Sequence, residues 1–147
     1  MKKIIILLIG VFSLYACEIE DDGPTLIYNF APITGADFPE HFTTGEIYDF
    51  PVTFIKNNSC SAFAGFDISR EINGNTRDIY IYAVTKEAES AGCKTEVTEE
   101  TQVLQQITIT GSNETEYTFH LWEGVSEETG KNSYLEIKIP VKNTDTN

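Results

Sequence analysis

Residues 63–85 read FAGFDISREI, NGN, TRDIYIYAVT, and this stretch decides the fold. Asn73-Gly74 lies between two runs that alternate apolar and polar side chains, and Asn-Gly is the dipeptide that tolerates the positive φ angles of a tight hairpin turn. Residues 63–72 and 76–85 therefore read as two antiparallel strands folded about Gly74. In the second strand Ile79, Ile81 and Ala83 alternate with Tyr80, Tyr82 and Val84. Both faces are apolar, so this strand is expected at the centre of a sheet.

The same period-two alternation recurs on either side of the hairpin. Tyr48, Phe50, Val52 and Phe54 share one face of a strand, and Phe66, Ile68 and Ile72 one face of the hairpin's first strand. Val103, Ile107 and Ile109 pattern another. Tyr117, Phe119 and Leu121 mark the next, followed by Leu135, Ile137, Ile139 and Val141. Residues 25–30 supply a first strand, making about seven. Turn residues separate them: Gly35, Pro39 and Gly45, Asn57-Asn58, Gly111-Ser112-Asn113, then Gly124 and Gly130. Short strands at this spacing, without sustained helical periodicity, predict an all-β domain over residues 25–142, an antiparallel two-sheet sandwich of immunoglobulin-like type. A small β-barrel is the alternative with the same strand count. The one segment compatible with a helical turn or two is 95–102, and residues 143–147 form a polar tail.

The N-terminus has a different character. Lys2 and Lys3 precede an apolar run from Ile4 to Leu14 broken only by Gly10 and Ser13, and the run ends Leu14-Tyr15-Ala16-Cys17. The layout is that of a signal peptide over residues 1–16. At about 20 residues for a bilayer crossing, the run is too short for a transmembrane helix. Residues 17–24, Cys-Glu-Ile-Glu-Asp-Asp-Gly-Pro, are too acidic to fold alone and read as a solvated tether.

The tetrapeptide Leu14-Tyr15-Ala16-Cys17 resembles the lipobox of bacterial lipoproteins, with Tyr15 standing where a small residue is usual, as the looser Bacteroidota pattern tolerates. The resemblance implies cleavage before Cys17, lipid attachment to its thiol, and anchoring in the outer membrane. The acidic run after it is similar to the export signal of surface-exposed Bacteroidota lipoproteins, which implies an outward-facing domain; a periplasm-facing one is the alternative. The last strands, Tyr117-Thr118-Phe119-His120-Leu121-Trp122-Glu123-Gly124 and Tyr134-Leu135-Glu136-Ile137-Lys138-Ile139-Pro140-Val141, look like those that close many small Bacteroidota lipoproteins with immunoglobulin-like folds.

With Cys17 given to lipid, Cys60 and Cys93 remain, and an even pair in an oxidising compartment predicts one disulfide. Folding the hairpin about Gly74 sets Cys60 opposite about residue 88, a few positions from Cys93. A metal site on these two thiols lacks further ligands at a usual spacing. Charge excludes another class of function. The chain has 23 acidic and 10 basic residues, and losing the two leader lysines leaves eight basic, a formal charge of −15. Nucleic acid demands the opposite sign and is not an expected partner.

Catalytic chemistry is thinly provided. The only histidines are His41, in a loop, and His120, in a strand; there is no Gly-x-Ser-x-Gly elbow, His-Glu-x-x-His pair or phosphate loop. No catalytic residue, cofactor or metal is assigned. Glu96, Glu99 and Glu100, and Glu123, Glu127 and Glu128, read as solvated acidic segments. If Tyr117, Phe119 and Leu121 face the core, His120 and Trp122 face outward, and with Tyr80 and Tyr82 they are the candidate binding surface for a protein or glycan. The expectation is a non-enzymatic, lipid-anchored envelope domain for binding, adhesion or assembly. The alternatives are an envelope hydrolase, or an enzyme inhibitor presenting the loop at residues 86–93.

Overall fold

The structure, a computed structural model, describes residues 25–89, 92–112 and 114–143. The leader, Cys17, the acidic tether and the tail beyond Asn143 lie outside the described residues. Nine strands form: β1 Leu26–Ala31, β2 Ile33–Ala36, β3 Phe42–Thr43, β4 Ile47–Asn58, β5 Ala62–Asn73, β6 Thr76–Ala88, β7 Thr95–Thr108, β8 Glu116–Val125 and β9 Asn132–Lys142. They divide into two packed sheets, the expected sandwich.

The smaller sheet is β2-β4-β7. The larger is built on β6, which is central as expected. Strand β5 pairs along one edge of β6, with Ile68 opposite Ile81 and Asn73 opposite Thr76. The other edge is shared end to end. There β8 takes Thr76 to Ile81 in parallel register, and β1 takes Ala83 to Ala88 antiparallel. Next to β8 come β9, antiparallel, and then the two-residue β3, parallel to β9. The β6/β8 pairing runs parallel because β7 intervenes in the opposite sheet, so two crossings bring the chain back in its original direction.

A hydrogen-bonded tyrosine marks where β7 hands over to β8. The buried Tyr117 turns its hydroxyl back to Thr110, accepting from Thr110 N at 2.9 Å and donating to Thr110 O at 3.1 Å. The geometry resembles the tyrosine corner of immunoglobulin-like sandwiches. The order within the larger sheet is a variation on that theme, because the second hairpin strand rather than the first lies beside β8.

The core follows the alternation read from the sequence. Phe50, Val52 and Phe54 of β4, Ile79, Ile81 and Ala83 of β6, Phe119 and Leu121 of β8, and Ile139 and Val141 of β9 are all buried. Phe38 packs between Phe50 at 4.7 Å and Phe119 at 4.4 Å, and Phe42 meets Tyr117 edge-on at 5.5 Å. Offset and edge-to-face pairs of this kind add to plain area burial.

Three expectations need correction. Residues 95–102 are not helical: they begin the 14-residue β7, where Lys56 pairs with Glu100 at 2.7 Å and Thr53 shares a hydrogen bond with Thr101 at 2.8 Å. Cross-strand partners and the β-branched residues Thr95, Val97, Thr98 and Thr101 outweigh the helix propensity of the glutamates. Val103 is exposed, not core. A β-bulge sets Gln105 and Gln106 against the single residue Asp49, so the register passes from Phe50/Leu104 to Tyr48/Ile107. Gln106 takes a φ of 61° and its N–H donates to Asp49 Oδ1 at 2.8 Å. The bulge swaps faces, burying Leu104 in place of Val103. Ile72, read as sharing a core face, is 70 % exposed at the hairpin tip.

Candidate functional site: an aromatic ridge on the outer face

Strand pleating sends Tyr80 and Tyr82 of β6 to the side opposite Ile79, Ile81 and Ala83, away from the core. The parallel register sets His120 beside Tyr80, while β9 sets Tyr134 opposite Trp122 and Glu136 opposite His120. Strand β1 brings Phe30 opposite Val84. The result is a continuous run of six rings across four strands.

Tyr80 stacks on His120 at 4.3 Å with an interplanar angle of 11°. Tyr134 meets Tyr80 edge-on at 5.6 Å and Tyr82 at 6.1 Å. Phe30 lies 5.0 Å from Tyr82 and 5.7 Å from Trp122, and Tyr82 lies 6.1 Å from Trp122. The polar tips are engaged. The Tyr82 and Tyr134 hydroxyls share a 2.6 Å hydrogen bond, and Trp122 Nε1 donates to Asn132 Oδ1 at 3.2 Å. Most of the rings are half-buried, His120 is 9 % exposed, and Phe30 is 50 % exposed. Partial burial, the Tyr134 hydrogen bond and negative neighbours including Asp67 push the Tyr82 hydroxyl up to about 12. Partial burial and the carboxylates of Glu71 and Asp78 raise Tyr80 as well.

Carboxylates border the ridge. Asp67 and Glu71 lie opposite Tyr82 and Asp78 on β5 and β6. His120 is held between two acids, with Nε2 at 3.0 Å from Asp78 Oδ1 and Nδ1 at 3.4 Å from Glu136 Oε1. These contacts hold the ring against Tyr80.

The four residues expected on a binding surface, Tyr80, Tyr82, His120 and Trp122, thus lie together on one face. The reading of the sequence missed Phe30, Tyr134, Asp78 and Glu136. Tyr134 and Glu136 were findable, since they fall out of phase with the core residues Leu135, Ile137 and Ile139; Phe30 depends on the β1/β6 pairing, which has no local signal. His41 is exposed between β2 and β3. Glu96, Glu99 and Glu100 are strand residues of β7, and Glu123 accepts from Ser133 Oγ at 3.1 Å. Among the described residues no three His, Cys, Asp or Glu side chains form a group that could hold a metal ion.

The other assigned pair lies at one end of the sandwich. Cys60 and Cys93 form a disulfide with their Cα atoms 5.5 Å apart. It joins the β4–β5 crossing to the β6–β7 crossing, the two places where this part of the chain changes sheets. Asn58 organises the first crossing, its Oδ1 accepting from Cys60 N at 2.9 Å and Ser61 N at 2.8 Å and its Nδ2 donating to Glu87 Oε2 at 2.6 Å. Ser59 N donates to Lys94 O at 3.0 Å. In the loop at 86–93, Ser90 and Ala91 lie outside the described residues, and Lys86 to Ala88 continue β6. No family model, curated protein or solved structure matches the chain.

Proposed function

We propose that this chain is a non-enzymatic, lipid-anchored binding module of the bacterial outer membrane, facing outward, and that the aromatic ridge is its ligand surface for a neutral glycan. The observation that carries the reading is the joined set of Phe30, Tyr80, Tyr82, Trp122 and Tyr134 on a solvent-facing sheet. Sugar rings present C–H faces that stack on such rings, and their hydroxyls donate to carboxylates like Asp67, Glu71 and Glu136. The acidic border disfavours polyanions, which sets neutral saccharides ahead of charged ones. The anchor rests on the lipobox-like Leu14-Tyr15-Ala16-Cys17 and the acidic residues after it.

Trp122 is the only tryptophan in the chain, so its fluorescence reports on the ridge without labels. Titration with cellohexaose, xylohexaose and mannohexaose should shift or quench the Trp122 emission saturably for at least one sugar, and Tyr82→Ala should weaken that response. No saturable response to any neutral oligosaccharide, together with no retention on polysaccharide gels, would remove the glycan reading. The anchor has a separate test. A palmitate analogue should label the wild type and not Cys17→Ala, and protease applied to intact cells should then release the domain.

A further inference from the structure

The chain has two arginines, Arg70 and Arg77, and both lie on the β5–β6 hairpin. The register pairs Arg70 with Ile79 and Ile72 with Arg77. Ile79 is buried in the core, so all four side chains belong to the core-facing side of the sheet. There, against the end of β7 in the smaller sheet, they line a cavity of about 250 Å³ with Ile107, Thr108, Thr110 and Tyr117. Glu71 and Asp78 border the same space but belong to the outer face, where Asp78 holds His120 at 3.0 Å. The charges facing the cavity are therefore both positive, in a chain whose formal charge is −13.

The two cations are differently held. Arg77 is fixed to the turn, its Nη1 donating to Gly74 O at 2.8 Å and Thr76 O at 3.0 Å. Arg70 is exposed at the rim. The floor between them is apolar: Ile72, Ile79, Ile107 and the Tyr117 ring, whose hydroxyl is already committed to Thr110. A space of this size equals the share of about eight liquid waters. It suits a small organic anion rather than a polymer.

We propose that this cavity binds an amphipathic monocarboxylate, its short hydrocarbon tail on Ile72, Ile79 and Ile107 and its carboxylate on the guanidinium groups of Arg70 and Arg77. Guanidinium forks match carboxylate geometry, and a charge-assisted pair beside an apolar wall is stronger than one in open water. This also accounts for Ile72: a 70 % exposed isoleucine at a hairpin tip is costly to leave in water and useful as a wall. The cavity lies at the opposite end of β6 from Glu89, whose N–H donates to Thr25 O at 3.0 Å. The inference does not depend on the glycan reading of the outer face.

The test is an amide-resolved NMR titration of the full mature chain with sodium octanoate, kept below its micelle concentration, and with octan-1-ol as the uncharged control. Octanoate should give saturable shifts centred on Ile72, Ile79 and Ile107. The affinity should fall about tenfold or more in Arg70→Gln and for octan-1-ol, the loss expected for a charged hydrogen bond. Arg70→Lys should recover part of it. Non-saturable octanoate shifts, equal affinity for octanol, or an unchanged response in Arg70→Gln would each overturn the proposal. Arg70 is exposed and its loss leaves the core untouched, so a folded spectrum is expected for every variant.

Discussion

Replacing Cys60 and Cys93 together by serine should lower the melting temperature by about 15 °C. The bond closes a sequence separation of 33 residues, and the chain-entropy relation gives roughly 4 kcal/mol for a loop of that size. Unfolding entropy near the midpoint is about 2.1 cal/mol/K per residue, so a domain of roughly 120 residues loses about 1 °C for every 0.25 kcal/mol. The loop encloses the whole β5–β6 hairpin and its ends are the two sheet crossings. In the oxidised unfolded chain those crossings stay together, which is where the stabilisation arises. The serines also lose a hydrophobic contact, but Cys60 and Cys93 are only half-buried, so this adds little.

Differential scanning calorimetry of the double variant against the oxidised wild type, with the reduced wild type as a third sample, measures the effect. The double variant and the reduced wild type should agree within a few degrees. A fall below about 5 °C in both would refute the entropic argument. It would mean that the Asn58 hydrogen bonds and the Ser59–Lys94 contact already hold the crossings together, so that the covalent link constrains an unfolded chain that was never free there. Asn58→Ala in the oxidised protein separates the two contributions. It removes acceptors from Cys60 N and Ser61 N and should cost about 1–3 kcal/mol on its own.

Other perturbations read other parts of the molecule. Gly111 has a φ of 130°, and a Cβ placed there would clash with the Thr115 side chain; Gly111→Ala should destabilise by about 2 kcal/mol or more in urea unfolding, combining backbone strain with a steric clash. Tyr117→Phe strips the corner hydrogen bonds from Thr110 and should cost about 1–2 kcal/mol, water replacing part of the loss at exposed Thr110. Tyr82 titrates near 12 in the fold against an ordinary value of 10. Its protonated form is thus favoured by folding, and this contribution is intact below pH 10 and disappears as pH rises through 12. Absorbance at 295 nm should show a late-ionising tyrosine that is missing in Tyr82→Phe, and the variant's stability should decline less steeply across that alkaline range.

How far the sequence discloses this molecule depends on whether a feature is local. Asn73-Gly74 with alternation on either side gave the hairpin, and through it the approach of Cys60 to Cys93, because turn chemistry and the two-residue period are properties of adjacent positions. The bulge at Gln106 is not of that kind. Nothing in Val-Leu-Gln-Gln-Ile announces that two residues will share one partner, so alternation counted through the bulge puts Val103 on the wrong face. Residues 95–102 failed for a related reason: glutamate favours a helix in isolation, and only the strand supplied by Lys56 and Thr53 reverses the preference. The arginine cavity was equally hidden, since it depends on where the smaller sheet stops.

The outer face was half legible, and the half that was legible explains what kind of surface it is. Along β6 and β8 the inward residues Ile79, Ile81, Ala83, Phe119 and Leu121 carry no polar atom, while the outward Tyr80, Tyr82, His120 and Trp122 each combine a ring with a polar tip. A face made to be permanently covered has no need of those tips and would be cheaper to build from leucine and phenylalanine. A face that must stand bare in water needs them, and here several are satisfied within the protein by Tyr134, Asn132, Asp78 and Glu136. Those bonds also fix the ring orientations before any ligand arrives, so stacking does not require freezing rotamers that were previously mobile. On the proposed reading the same hydrogen bonds serve two ends: they keep an aromatic surface soluble when empty and hold it in position to bind.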